Sequence, residues 1–302
     1  MINYKKVCML LESNSEEPVY FRQTFGNKGI YGDFQFLYNE NLQADFNIVG
    51  NWTKKESILK NNNTIFLQQE PPEVKTPEKE VLDNCVLAIT PFKIDHPIRQ
   101  FIAPPVLQWT YDINAVFEKN VGHKYSRANT KSLEALLIEE PPNKTKLCSM
   151  VLSQKTFLQA HRDRLSFAGK VMNHFKGKID FYGFGIKDVK NKKDAIDPYL
   201  YSIALENCFH NNYWTEKIAD VFLGCSMPIY YGCPNINDFF QEDAINKINI
   251  NNIDDAIAKI EFNLNNPDRI NPKILFDAKR RVLLEYNMFR IITVGIINNF
   301  YS

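Results

Sequence analysis

Two α/β domains are predicted by three features of the chain. Short apolar runs with the length of buried strands recur in both halves. In the second half they alternate with amphipathic stretches of helical length, which implies a mostly parallel sheet. The length of 302 residues is more than one ordinary core needs and suits two of roughly 150 residues each. An apolar content of 44%, with 13% aromatic, suffices to fill both.

The elements follow in order. KKVCMLLE reads as a first buried strand closed by polar turn residues, and FQFLYNE and DFNIVGNW as two more. In NNNTIFLQQEPPEVK, residues 61–64 make a turn, 65–69 a strand, and Glu70-Pro71-Pro72 a rigid exit. CVLAITPF is another strand, and FIAPPVLQW is extended by its prolines. At 139–146, EEPPNKTK turns polar and proline-rich, which sets a boundary between domains 1–143 and 144–302. Beyond it come the strand LCSMVLSQ, the helix AHRDRLSFAGKVMNHF, the strands KIDFYG and LYSIALEN, the helix TEKIADVFLG and the strand MPIYYG. One helix, PKILFDAKRRVLLEYNMFRIITVGI, closes the chain. In open α/β sheets ligands sit beyond the carboxyl ends of the strands.

Bulk properties exclude several classes. A net charge of +1 argues against general nucleic-acid binding. Cys8, Cys85, Cys148, Cys208, Cys225 and Cys233 show no CxxC or Cys/His spacing, so no zinc site is expected. They read as reduced thiols of a cytoplasmic protein. The N-terminus lacks the pattern of a signal peptide, and FRIITVGIINNF is too short for a membrane span. In a cytoplasmic chain the Asn-X-Ser/Thr matches at Asn51, Asn62 and Asn143 carry no meaning.

Four stretches hold candidate chemistry. ENCFHNNYWTEKIADVFLG, from Glu206 to Gly224, follows a strand and starts a helix at Thr215-Glu216-Lys217. With Thr215 as N-cap, the free N–H groups and the positive dipole end suit a phosphate, and Lys217 adds charge. The alternative is an ordinary capped helix with an acid in its first turn. In HRDRLSF, Arg162 and Arg164 open a helix, where cations oppose the dipole. They are solvated, paired with an external anion, or bound to Asp163 or another neighbour. Glu70, at a strand end and fixed by prolines, suits a general base, or is a surface acid in a turn. YGFGIKD starts a dinucleotide fingerprint but has Asp188 in place of the third glycine, so Gly183 and Gly185 read as a turn. No Asp-X-Asp pair is present to hold a diphosphate through a metal.

LYSIALENCFHNNYWTEKIADVFLGCSMPIYYGCPNI resembles the signature of the α1,3/α1,4-fucosyltransferase family, glycosyltransferase family 10. Arg164-X-X-Phe167, IFLQQEPP and AKRRVLLEYNMF resemble further elements of that family. The resemblance implies a GT-B fold, two Rossmann-like domains facing across a cleft, with acceptor in the first domain and GDP-fucose in the second. It implies inversion without a metal or other cofactor, on a glycan such as a lipopolysaccharide or capsule precursor. By motif, Lys217 and Arg164 would hold the diphosphate, Glu216 and Asn207 the nucleotide sugar, Glu206 and Tyr213 would line the site, and Glu70 would be the base. Cys208, Trp214 and Leu200 depart from the family's Ser, Val and Lys, and a Trp beside the pocket would alter which sugar fits. Another GDP-sugar donor, or an inert glycan- or nucleotide-binding protein, are the alternatives. Lys279, Arg280, Arg281 and Arg290 among apolar residues raise peripheral membrane contact through the closing helix, against a helix packed on the domains. Oligomeric state is not indicated.

Overall fold

The computed structural model describes residues 3–11, 19–38, 44–53, 63–118, 122–126, 130–183 and 185–301. Asn39 and Glu40 at the end of FQFLYNE, the sequon residue Asn62 and Phe184 of YGFGIKD lie outside the described residues. The chain forms two compact units that are discontinuous in sequence. The first holds residues 1–108, 125–138 and 283–302, the second 109–124 and 139–282. A single cut after residue 143 therefore differs from the contact pattern at both ends of the second unit.

The first unit is built on β1 (Lys5–Leu10), β2 (Ile30–Tyr31), β3 (Phe34–Tyr38), β4 (Phe46–Gly50), β5 (Thr64–Leu67), β6 (Leu87–Thr90) and β7 (Arg99–Ile102). The sheet order is β2-β3-β1-β4-β5-β6-β7, parallel throughout except for the β2–β3 pair. Every residue of β4, β5 and β6 is buried, as expected of central parallel strands covered on both faces. Its described helices in the first half, α1 (Lys79–Asp83) and α2 (Leu133–Ile138), are short. The order reverses between β1 and β4, so their carboxyl ends form the topological switch point of this sheet.

Strands β8 (Asn114–Glu118) and β9 (Gly122–Ser126) form a separate two-stranded sheet. The main sheet of the second unit comprises β10 (Lys146–Val151), β11 (Ile179–Tyr182), β12 (Tyr199–Leu205), β13 (Met227–Tyr231) and β14 (Asn246–Lys247). Its order, β11-β10-β12-β13-β14, is parallel throughout and reverses between β10 and β12. Helix α3 (Gln159–His174) follows β10 and α4 (Glu216–Leu223) follows β12, so both start at the switch point. Helix α5 (Ile253–Asn265) was not anticipated from the sequence. Residues 109–112 are stitched into this unit by polar contacts. Thr110 Oγ1 donates to Asp220 at 2.5 Å, Tyr111 Oη to Asp197 at 2.9 Å, and Lys193 pairs with Asp112 at 2.7 Å.

The expected single closing helix is two: α6 (Pro272–Leu284) and α7 (Met288–Phe300). Asn287 breaks it. Its side chain accepts from Phe289 N at 3.0 Å and donates to the Gln23 carbonyl at 2.7 Å, a cap that demands an extended backbone. Met288, Phe289, Ile291, Ile292 and Ile296 then enter the core of the first unit, where Phe289 meets Phe36 edge-on at 4.7 Å. Those five residues face that core, whereas Ile297 on the same helix is exposed. Among the described residues, no helix is long and apolar enough to cross a membrane.

Candidate active site

Glu206, the residue after β12, is the centre of the site. It is fully buried and accepts from Thr215 N at 2.8 Å and from Thr215 Oγ1 at 2.8 and 3.1 Å. Thr215 is the N-cap of α4, as expected, and accepts from Lys217 N. One carboxylate thus ties the end of a strand to the start of the next helix. The packing around it requires a glycine at 232. A Cβ there would lie 2.4 Å from Glu206 Cγ and 2.6 Å from Tyr230 Oη.

Lys217 Nζ lies 3.3 Å from Glu206 Oε2 and 3.4 Å from Glu216 Oε1, and donates to Thr215 Oγ1 at 3.0 Å. Its side chain remains 26% exposed, so a ligand can reach it. Burial disfavours the charged amine, but Glu206 and Glu216 outweigh this and raise its pKa above the usual lysine value. Burial likewise opposes the Glu216 carboxylate, yet Lys217 and Lys192, with a hydrogen bond from Thr215, bring it down to about 2. Lys192 was not singled out in the sequence. It stands 2.7 Å from buried Asp220, and no local pattern links residue 192 to residue 216.

Arg162 and Arg164 separate in role. Arg162 is bound to Gln159 Oε1 and to the Thr156 carbonyl at 2.8 Å, which is the structural option for it, with Gln159 rather than Asp163 as the partner. Arg164 is buried, and its Nη1 donates to the Leu205 carbonyl at the tip of β12 at 3.1 Å. Its Nε is buried and without a partner. A buried donor left unmatched is costly and is relieved by an anion or a water. Burial lowers the Arg164 pKa, against the opposing pull of Glu206 and Glu216.

Asn207 is half-buried, with Oδ1 enclosed and unpartnered. Tyr213 is only 2% exposed. Trp214, expected beside the sugar pocket, is buried and packs its ring edge-on against Phe239 and Phe240 at 5.9 and 5.1 Å. Its size serves that aromatic cluster. His161, given no role from sequence, lies in the first turn of α3, and its Nδ1 accepts from Leu158 N at 3.4 Å. Burial, then the charge of Arg164 and nearby lysines, depresses its pKa to about 4, so the ring is neutral. The YGFGIKD glycines make a turn, as read. Gly183 takes φ 136° and a Cβ there would strike the Leu152 carbonyl.

Glu70 belongs to the first unit. It follows β5 in a bend, half-buried, and its N–H donates to Asn51 Oδ1 at 3.1 Å. The same oxygen accepts from Gln69 N at 2.6 Å. Among the described residues no group of three or more His, Cys, Asp and Glu is placed to hold a metal ion.

Comparison with known proteins gives the same direction. The sequence model of the glycosyltransferase family 10 (fucosyltransferase) C-terminal domain matches residues 141–262. Over 76 residues the chain is 34% identical to Helicobacter pylori α-(1,3)-fucosyltransferase FucT, a stretch spanning 25% of this chain and 16% of that relative. A solved α1,3-fucosyltransferase with GDP-fucose superposes with a TM-score of 0.53 at 17% identity, covering 98% of this chain and 91% of that one. A DNA-modifying β-glucosyltransferase does so at 0.50 and 11% identity, covering 95% and 96%. These two likenesses show the fold, which is that of the GT-B glycosyltransferases. The residues that the family 10 model matches lie within the second unit, so the likeness in sequence falls on the half that carries Glu206, Glu216 and Lys217.

Proposed function

We propose that the protein is an inverting fucosyltransferase that moves fucose from GDP-fucose to a hydroxyl of a glycan acceptor, of lipopolysaccharide or capsule type, without a metal. The observation that carries this reading is the pair Arg164 and Lys217 at the switch point of the second sheet. One has an unmatched buried donor and the other an accessible ammonium, and both are oriented from β12. Such a pair suits a diphosphate.

In the proposed reaction Glu70 takes the proton from the acceptor hydroxyl as that oxygen bonds to C1 of fucose. The C1–O bond to the diphosphate breaks on the opposite face, and GDP leaves with the electron pair. Lys217, Arg164 and the first-turn N–H groups of α4 stabilise the charge that grows on the leaving oxygen. Asn207 and Glu216 hold the nucleotide sugar. Tyr213 supports the lining from its buried position. The lysines and arginine supply the cationic charge that a metal provides elsewhere.

A thermal-shift series with GDP, UDP, ADP and CMP in EDTA tests the donor site. GDP at a hundred times its dissociation constant should add about 2.7 kcal/mol to the folded state. The shift should vanish in Lys217→Ala. GDP release from GDP-fucose in EDTA then tests turnover. A shift with UDP alone would rule out fucose, and GDP binding without release from any GDP-sugar would favour an inert binding protein.

A further inference from the structure

The first unit has its own switch point, between β1 and β4, and an aromatic side chain stands there. Trp52, two residues after β4, is 51% exposed, whereas Trp109 and Trp214 are 2% and 5% exposed. Its turn is held from both sides. Thr53 Oγ1 accepts from Gly50 N at 2.8 Å and donates to the Leu10 carbonyl at the tip of β1 at 2.9 Å. Asn51 accepts from the N–H groups of Gln69 and Glu70, and its Nδ2 donates to the Lys75 carbonyl at 3.3 Å. An exposed indole is thus presented on a turn with little freedom left, which lowers the entropy lost when something docks on it.

The surroundings define what docks. Lys75 Nζ lies 5.5 Å from the indole centroid and 3.5 Å from Glu78 Oε1. Beside the ring is a small cavity lined by Thr53, Phe66, Lys75, Glu78 and Val81. The Lys75 ammonium stands over one face of the indole, and an exposed ring with an ammonium, a carboxylate and a hydroxyl around it matches a pyranose, whose C–H groups stack on the aromatic surface while its hydroxyls reach the polar groups.

We propose that Trp52 is the stacking platform of a saccharide subsite at the switch point of the first unit, with Lys75 and Glu78 binding sugar hydroxyls. The occupant is a neutral pyranose of the acceptor glycan. This rests on the reading of the protein as a glycan-modifying transferase. Asn51 is the mechanical link, because one side chain fixes both the Trp52 turn and the backbone of Glu70.

Trp52 reports on its own site, being the exposed tryptophan. Acrylamide quenching of the full chain is measured with lactose, N-acetyllactosamine and chitobiose. At least one should protect Trp52, and Trp52→Phe should remove the protected component. No protection by any of the three would overturn the subsite. On whichever disaccharide the wild type fucosylates, Trp52→Ala should raise acceptor KM about tenfold. The KM for GDP-fucose and its slow hydrolysis without acceptor should not change, and Trp52→Phe should recover most of the loss. An active enzyme whose acceptor KM ignores Trp52→Ala would defeat this inference and leave the transferase reading intact. Protection of Trp52 in a protein that releases no GDP from GDP-fucose would support the subsite and defeat the transferase reading.

Discussion

The ends of β12 and β5 are organised by opposite means. Beyond β12, a fully buried carboxylate gathers a lysine, a threonine cap and a helix start into one charged cluster. Beyond β5, neutral groups do the work, with Asn51 holding two backbone N–H groups and Pro71 and Pro72 fixing the exit. A charged cluster at low dielectric is strong when complete and costly when broken. A backbone N–H held by an amide fixes where the residue stands without using a charge. The first arrangement suits a fixed diphosphate, and the second suits a group that gains and loses a proton.

The largest test of this contrast is Glu70→Gln. It should lower kcat by about 10²- to 10⁴-fold, the range for a general base, while calorimetry shows GDP affinity unchanged. A Glu70→Gln enzyme with near-normal kcat would move the base elsewhere. Lys217→Ala should cost about a hundredfold or more in kcat, and it should also weaken GDP, which separates the two regions by ligand. Glu206→Ala should act first on stability. Removing one partner of a buried ionic cluster costs about 3 kcal/mol, and urea unfolding of the second unit should report it. Loss of catalysis with full stability would mean that Glu206 touches substrate directly. Gly232→Ala forces a methyl against Glu206 and Tyr230, and should destabilise by about 1–3 kcal/mol.

The smallest effect is in the pH dependence. The His161 pKa falls from its ordinary 6.5 to about 4 in the folded protein, so the unfolded chain binds more protons between those values. Stability from this group is complete above pH 6.5 and is lost as pH drops toward 4. For Glu216, lowered from 4.5 to about 2, the loss runs from pH 4.5 to 2. His161→Gln should flatten the upper window alone, as followed by urea unfolding across pH.

Much of the second unit was legible because its signals are local. A strand followed by Glu-Asn, a Thr cap and Lys in the first turn specify their own geometry, and the structure shows the capped helix where TEKIADVFLG places it. The first unit was less legible. Its described helices in the first half are short, and α7, which covers its sheet, lies at the far end of the chain. The break at Asn287 had a sequence signal, since Asn is a good N-cap, but the apolar run across it hid the stop.

From the chain alone came the α/β class, the parallel second sheet, the capped start of α4 and the candidate residues Glu70, Arg164, Glu216 and Lys217, to which the family resemblance added Glu206, Asn207 and Tyr213. The tertiary structure decided what each side chain meets. It sent Arg162 to Gln159, left Arg164 with an open donor, buried Trp214 among phenylalanines and set Trp52 in the open. Caps and strand patterns depend on neighbours a few residues apart, which a sequence displays. Burial and charge pairing depend on residues brought together from distant positions, such as Lys192 with Asp220 or Leu10 with Thr53, and only the folded chain makes those encounters.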